Sequence, residues 1–329
     1  NALAANTTTS SNTAVGANAL AANTASENTA IGFNAAALNT TGVRNLAIGK
    51  GAYDASDTEN DNIAIGFNAM TTNTAGGEKN VAVGNYALDA LTSGDNNVAM
   101  GYNALTANTT GADGVAIGYG ALKSNLTSNS SIGIGWEALG LLTNGNNNVA
   151  IGYASNRANL TGTDNVSVGG NSLQLNTASN NTAIGKSALT ANTTGDRNVA
   201  IGTTSLDANT TGAKNIAIGV NALGANTTAN HNVAVGHESL SSNTTGADNT
   251  GLGKGALGAN TTAADNTAVG SLALEVNTTG TKNTAVGKGA LSSVVTSANN
   301  TAIGYNAMNL NTGANNTALG SFAMENNTT

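Results

Sequence analysis

Along the chain, short runs in which branched apolar residues alternate with alanine return between longer polar stretches. In the copy spanning 198–214 the run is Val199, Ala200, Ile201 and Gly202, followed by Leu206 and then Asn209, Thr210, Thr211 and Gly212. The motif Asn-(Thr/Val/Ile)-Ala-(Ile/Val)-Gly, with conservative variants, occurs nineteen times between Gly16 and Gly320. Fourteen of the eighteen intervals are seventeen residues, three are sixteen and one is eighteen. Alternation with period two predicts a strand. A fixed short period predicts one small unit stacked on copies of itself, and so a rod.

With the repeat numbered from its asparagine, position 1 is Asn in seventeen copies, position 4 is always Ile, Val, Leu or Met, and position 5 is always Gly. Position 9 is Leu or Met in sixteen copies, Ala36, Tyr53 and Asn156 being the exceptions. Seventeen residues are too few for a strand, a helix and two turns, so the unit reads as a two-sided β-coil. A second short strand over positions 7 to 10 brings Leu206 toward Val199 and Ile201, while Ala200 and Gly202 form an outer face that another backbone can approach. Length varies in positions 12 to 17, in the sixteen-residue copies 12–27 and 165–180 and the eighteen-residue copy 62–79, which places the outer turn there.

The fold class is therefore all-β, a parallel β-solenoid of about nineteen coils of seventeen residues. Coils about 4.8 Å apart give a rod of roughly 90 Å. Stacking lines up Asn at positions 1 and 12 into amide ladders. It also brings Glu27, Arg44, Asp61 and Lys79 into one row of alternating charge. Three buried apolar side chains per coil are few for the backbone they must order, so a further buried surface is expected on the Ala/Gly face, and with it an oligomer.

Composition narrows the function. Only 9% of residues are charged and 3% aromatic, and the net charge of −7 leaves no basic patch for nucleic acid. The absence of cysteine removes disulfides and thiolate chemistry, and the absence of proline suits a backbone committed to ladders. No apolar run approaches the roughly 20 residues that span a bilayer, so no membrane insertion is expected within this segment. Residues 1–329 read as one continuous array, starting and stopping midway through a repeat without polar caps, and hence as a segment of a longer fibre.

The pentapeptides NTAIG, NVAIG and NTAVG, followed by Ala or Ser and Leu, resemble the head repeats of trimeric autotransporter adhesins, the YadA-type head. The resemblance covers the whole chain. It implies a left-handed β-roll, three chains side by side, export to the cell surface and adhesion to host-cell, matrix or glycan surfaces. Departures are the longer Asn-Thr-Thr-Gly turn and the lack of a neck, stalk or membrane barrel in this sequence. Similar repeats occur in phage tail fibres, so a receptor-binding segment on a virion surface is an alternative.

Chemistry is sparse. His231 and His237 sit at positions 17 and 6 of neighbouring repeats, and no Ser-His-Asp, His-x-x-x-His or P-loop pattern accompanies them, so neither an enzyme nor a cofactor is expected. Asp248 and Asp265 share one turn row but lack the dense glycine motifs of calcium-binding repeats. Phe67, Tyr86, Tyr102, Tyr119, Trp136 and Tyr153 fall at positions 6 or 7 of consecutive coils. That stripe is read either as a packing ladder or as a strip for a sugar or receptor. Asn6, Asn39, Asn108, Asn192, Asn209, Asn226, Asn243, Asn260, Asn277 and Asn327 open N-x-T sequences in turns expected to be exposed, and so are candidate glycosylation sites. The regular threonines also raise an ice-binding solenoid, against which stands their place in a turn of variable length.

Overall fold

The computed structural model describes residues 1–73 and 76–326, and among them every regular element is a three-residue strand at positions 2 to 4 of a repeat. The chain divides into two compact units, Asn1–Asn165 and Val166–Thr329. The first holds nine strands, β1 (Thr13–Val15) to β9 (Val149–Ile151), and the second holds ten, β10 (Val166–Val168) to β19 (Thr317–Leu319). Within each unit, every strand pairs in parallel with the next and in register, as in Val199↔Ile216, Ala200↔Ala217 and Ile201↔Ile218. The sixteen-residue copies keep the same register, Thr13 opposite Thr29, so the missing residue is absorbed outside the strand. Each unit is thus a parallel β-solenoid. In the eighteen-residue copy, Thr74 and Ala75 of the length-variable turn lie outside the described residues.

Two expectations about the coil are corrected. The second strand does not form. Positions 7 and 9 take left-handed backbone, as at Thr204 (φ 52°) and Leu206 (φ 54°), and positions 6 to 11 are a succession of turns. The stack is nevertheless hydrogen-bonded there: Leu206 N donates to Ala222 O at 2.9 Å and Ala208 N to Gly224 O at 3.3 Å in the following coil. Alternating left- and right-handed residues point every second N–H group along the stack, so a ladder forms without extended backbone.

The two faces of the strand are also the reverse of the expectation. Ala200, Ala217 and Ala234 are fully buried with Leu206, Leu223 and Leu240, whereas Ile184, Ile218 and Leu252 are 37–45% exposed. The alanines at position 3 point inward and the branched residues at positions 2 and 4 point outward. Volume decides this. The narrow interior of the coil 215–231 already holds Leu223, Ala217, Ala222, Asn215 and Asn226, all fully buried, and a further β-branched pair would overpack it.

Position 5 must be glycine for a reason of contact as well as conformation. Gly202 has φ 130°, and a Cβ added there would lie 2.5 Å from Gly219 O and 2.7 Å from its carbonyl carbon in the next coil.

Asparagine supplies the interior polar framework. Asn198 Nδ2 donates to Gly212 O near the end of the same repeat at 2.8 Å, and its Oδ1 accepts from the backbone N of Asn215 in the next coil at 2.9 Å. Asn209, at position 12, donates to the same Gly212 O at 2.9 Å and to Asn192 Oδ1 at 2.8 Å. Both rows are buried, so the expected amide ladders are present and internal. One exception to the pattern is partly compensated by another. Where Ser56 replaces the position-12 asparagine, Tyr53 replaces the leucine, and its hydroxyl donates to Glu59 O at 3.2 Å and accepts from Asn62 at 2.8 Å. The phenol takes over the bond to the position-15 carbonyl, whereas Asn39 Oδ1, which lacks a donor from this coil, and Ser56 Oγ have no hydrogen-bond partner among the described residues. Burial, first among the causes, pushes the Tyr53 pKa above the ordinary tyrosine value.

Asn156 is not compensated. It fills the leucine position, is fully buried, and neither amide atom has a hydrogen-bond partner among the described residues. Asn156→Leu is expected to stabilise the first unit by about 2 kcal/mol, from relief of an unsatisfied buried amide. Urea unfolding followed by circular dichroism checks this; an unchanged or lowered midpoint would show that the amide is satisfied by water.

Candidate functional site

The six aromatic residues of the stripe come together in the first unit. Phe67 and Tyr86 meet edge to face at 5.3 Å, as do Tyr86 and Tyr102 at 5.9 Å. Tyr102, Tyr119, Trp136 and Tyr153 then stack with planes within 9° and centroids 5.6, 6.3 and 4.8 Å apart. Lys50 closes the Phe67 end, its ammonium 5.6 Å from the ring centroid. Position 6 follows the tight glycine corner, which aims its side chain away from the interior. In-register stacking does the rest.

This geometry favours the packing reading. Rings stacked with such small interplanar angles cover one another's faces, and each contact contributes about 0.5–1.5 kcal/mol between coils. Tyr102, Tyr119, Trp136 and Tyr153 nevertheless remain 40–57% exposed. A flat sugar needs a free face. A second pair, Tyr305 and Phe322 at 5.2 Å, lies in the second unit and was not singled out by the sequence, since only one rung separates positions 6 and 7 there.

The asparagine candidates are placed where a glycosyl group has no room. Asn39, Asn108, Asn192, Asn209, Asn226, Asn243, Asn260 and Asn277 are fully buried, against the expectation of exposed turns. They are the interior ladder itself, and their amide nitrogens are committed, as Asn226 is to Asn209 Oδ1 at 2.9 Å. Asn6 is half-buried and accepts from Thr9; Asn327 lies outside the described residues. The turn exposes its threonines instead. Thr210 spends its hydroxyl on Thr227 O at 3.0 Å, while Thr211, Thr228 and Thr245 are exposed.

Ionisable groups form local pairs. Arg44 and Asp61, from the predicted charge row, are joined at 2.6 and 2.8 Å. Glu137 is nearly buried between Lys123 and Arg157, one on each carboxylate oxygen. Burial pushes its carboxyl up, but the hydrogen bonds and charges of Lys123 and Arg157 hold it below the ordinary glutamate range. The three side chains come from successive coils and act as a clamp across them. His231 lies 3.4 Å from Asp248 and His237 3.5 Å from Glu238, all about half exposed, an arrangement worth little in stability. Among the described residues, no three of His, Asp and Glu gather into a group that holds a metal ion.

Surface recesses, which sequence pattern did not single out, occur along one edge of the coil in both units. One in the first unit is lined by Ala21, Ala22, Ala37 and Leu38, and one in the second by Gly255, Gly258, Leu272 and Val276. All these residues stand at positions 7, 10 and 11, where side-chain size varies from coil to coil. The sequence signal was the doubled glycine at 255 and 258.

No model of a known protein family matches this chain, and no curated protein matches it.

Proposed function

We propose that this chain is a segment of an extracellular adhesive fibre, in which three copies pack side by side and present repeated weak contacts to a host-cell, matrix or glycan surface. One observation carries the proposal: the outward strip of aliphatic residues at positions 2 and 4. In the first unit it runs through Val98 and Met100, Val115 and Ile117, and Val149 and Ile151, all only partly buried. Continuous exposed strips of this kind mark interaction surfaces. The strip moves the interface from the Ala/Gly face to the Ile/Val face. The resemblance to trimeric adhesin heads supports three copies, and the repeat supports avidity through many equivalent contacts. A bacterial surface fibre and a phage tail fibre are two owners for the same device.

Sedimentation equilibrium tests the assembly, with an expected mass three times the chain's 32.0 kDa. Replacing Ile184 and Ile218 with Asp is expected to release monomers that keep their circular dichroism, because both side chains point outward. A wild-type monomer would overturn the trimer. Beads coated with the protein are expected to attach to cells or matrix, and failure to attach would overturn the adhesive role.

A second reading rests on a separate observation. From β15 (Thr250–Leu252) to β19, position 2 is threonine in five consecutive strands: Thr250, Thr267, Thr284, Thr301 and Thr317. These hydroxyls lie on strands rather than in the turn, which is the ordered array an ice-binding face requires. Thermal hysteresis no greater than that of a neutral control protein would remove this reading.

A further inference from the structure

We infer that the slot centred on Gly255 and Gly258 in the second unit binds a single pyranose ring of a glycan chain. The inference rests on the adhesive reading and gives it a ligand class. The outward aliphatic strip suits a partner chain, and the aromatic rings pack on one another in a ladder, which directs attention to the edge formed by positions 7, 10 and 11.

Among the described coils, only the one spanning 249–265 has glycine at both position 7 and position 10. The coil before it carries Glu238 and Ser241 at those positions, and the coil after it carries Leu272 and Glu275. Side chains therefore stand on both sides of the two glycines and border an open recess of about 570 Å³, with Leu272 Cδ2 leaning over Gly255, 2.9 Å from where a Cβ would stand. The flanking coils are roughly 10 Å apart, twice the coil spacing, which admits one ring in a single layer. The volume lies within the range of small-ligand sites.

The lining has the chemistry of a sugar site. Leu272 and Val276 offer an apolar wall to ring C–H groups. Glu238 and Glu275 accept hydrogen bonds from hydroxyls, and Lys254 donates; Ser242 does either. Charges of both signs disfavour a strong anion. An extended peptide is disfavoured too, because the floor's backbone groups are already paired: Gly255 N donates to His237 O at 3.0 Å and Ser242 N to Gly258 O at 3.1 Å.

The slot can be filled without foreign residues. Gly255 has φ 64°, a conformation asparagine tolerates, and Asn221 occupies the equivalent position with φ 56°. Gln174 occupies the position equivalent to Gly258. Saturation-transfer NMR on the assembled protein, with glucose, galactose and N-acetylglucosamine as separate probes, is expected to detect binding of at least one, with a Kd of about 1–10 mM. In the variant Gly255→Asn with Gly258→Gln, unchanged in circular dichroism, the signal is expected to fall at least tenfold. No transfer with any of the three sugars, or equal transfer in the filled variant, would overturn the inference. Bead attachment measured in parallel separates the two ideas. Attachment that persists without sugar binding sinks the slot alone, and sugar binding without attachment sinks the adhesive role alone.

Discussion

Gly202→Ala is expected to destabilise the second unit by about 4 kcal/mol, among the largest effects a single methyl group can have here. Two costs combine. Alanine is strained at φ 130°, and its Cβ would sit 2.5 Å from Gly219 O, 2.7 Å from its carbonyl carbon and 3.1 Å from Val220 N. All three contacts are with backbone, which cannot rotate aside as a side chain does. Relief would require the coils to part at this corner, and Gly219 N donates to Ile201 O there at 2.7 Å. Urea denaturation of wild type and variant measures the change. A loss below about 1 kcal/mol would mean that the corner opens freely and that the invariant glycine has another cause.

Asn215→Ala is expected to cost about 3 kcal/mol, and Asn226→Ala about half as much, although both remove a fully buried amide. The difference lies in what each leaves behind. Asn215 Oδ1 is the acceptor for the backbone N of Asn232 at 3.0 Å, and no other acceptor is shown for that N–H. Removing Asn226 leaves Asn209 Oδ1 without its donor, a state the same row already tolerates at Asn39, Asn73 and Asn277. Asn243 still donates to Gly246 O at 2.9 Å, and Ala229 O still accepts from Asn215 at 2.8 Å. Position 1 caps the backbone, whereas position 12 reinforces bonds already made. Paired urea titrations give the ordering, and equal losses would show that the two rows are interchangeable.

The repeat, its parallel stacking and the amide rows were legible because each depends only on period and residue type. Which face of the strand points inward was not. Val199 with Ile201 and Ala200 with Gly202 both satisfy a period-two pattern, and hydrophobicity prefers the branched pair inside. The deciding quantity is the volume a seventeen-residue coil can enclose, which pattern does not contain. The turn in place of a second strand did leave a trace. Position 7 is often Asn or Gly, as in Asn103, Gly120, Asn171 and Gly289, residues that tolerate left-handed backbone. Leu206 at φ 54° left none, since leucine is disfavoured there and is held by its burial. The candidate glycosylation sites misled for a related reason. An Asn-Thr-Thr turn looks solvent-facing, and here its asparagine is drawn inside by the ladder.

That ladder has a consequence for how such a gene changes. In the second unit each position-12 amide donates to the one before it, from Asn192 to Asn176 through to Asn277 to Asn260. Within that run, every coil therefore offers its successor the same bonds it receives from its predecessor; the run ends where Val294 stands at position 12 and leaves Asn277 Oδ1 without a partner. Unequal crossing-over between two copies, which inserts or deletes one whole repeat, rejoins the rows without creating a new kind of contact. The number of coils can drift under selection while the energetics of each coil stay fixed, so the gene can alter reach by recombination rather than by point mutation.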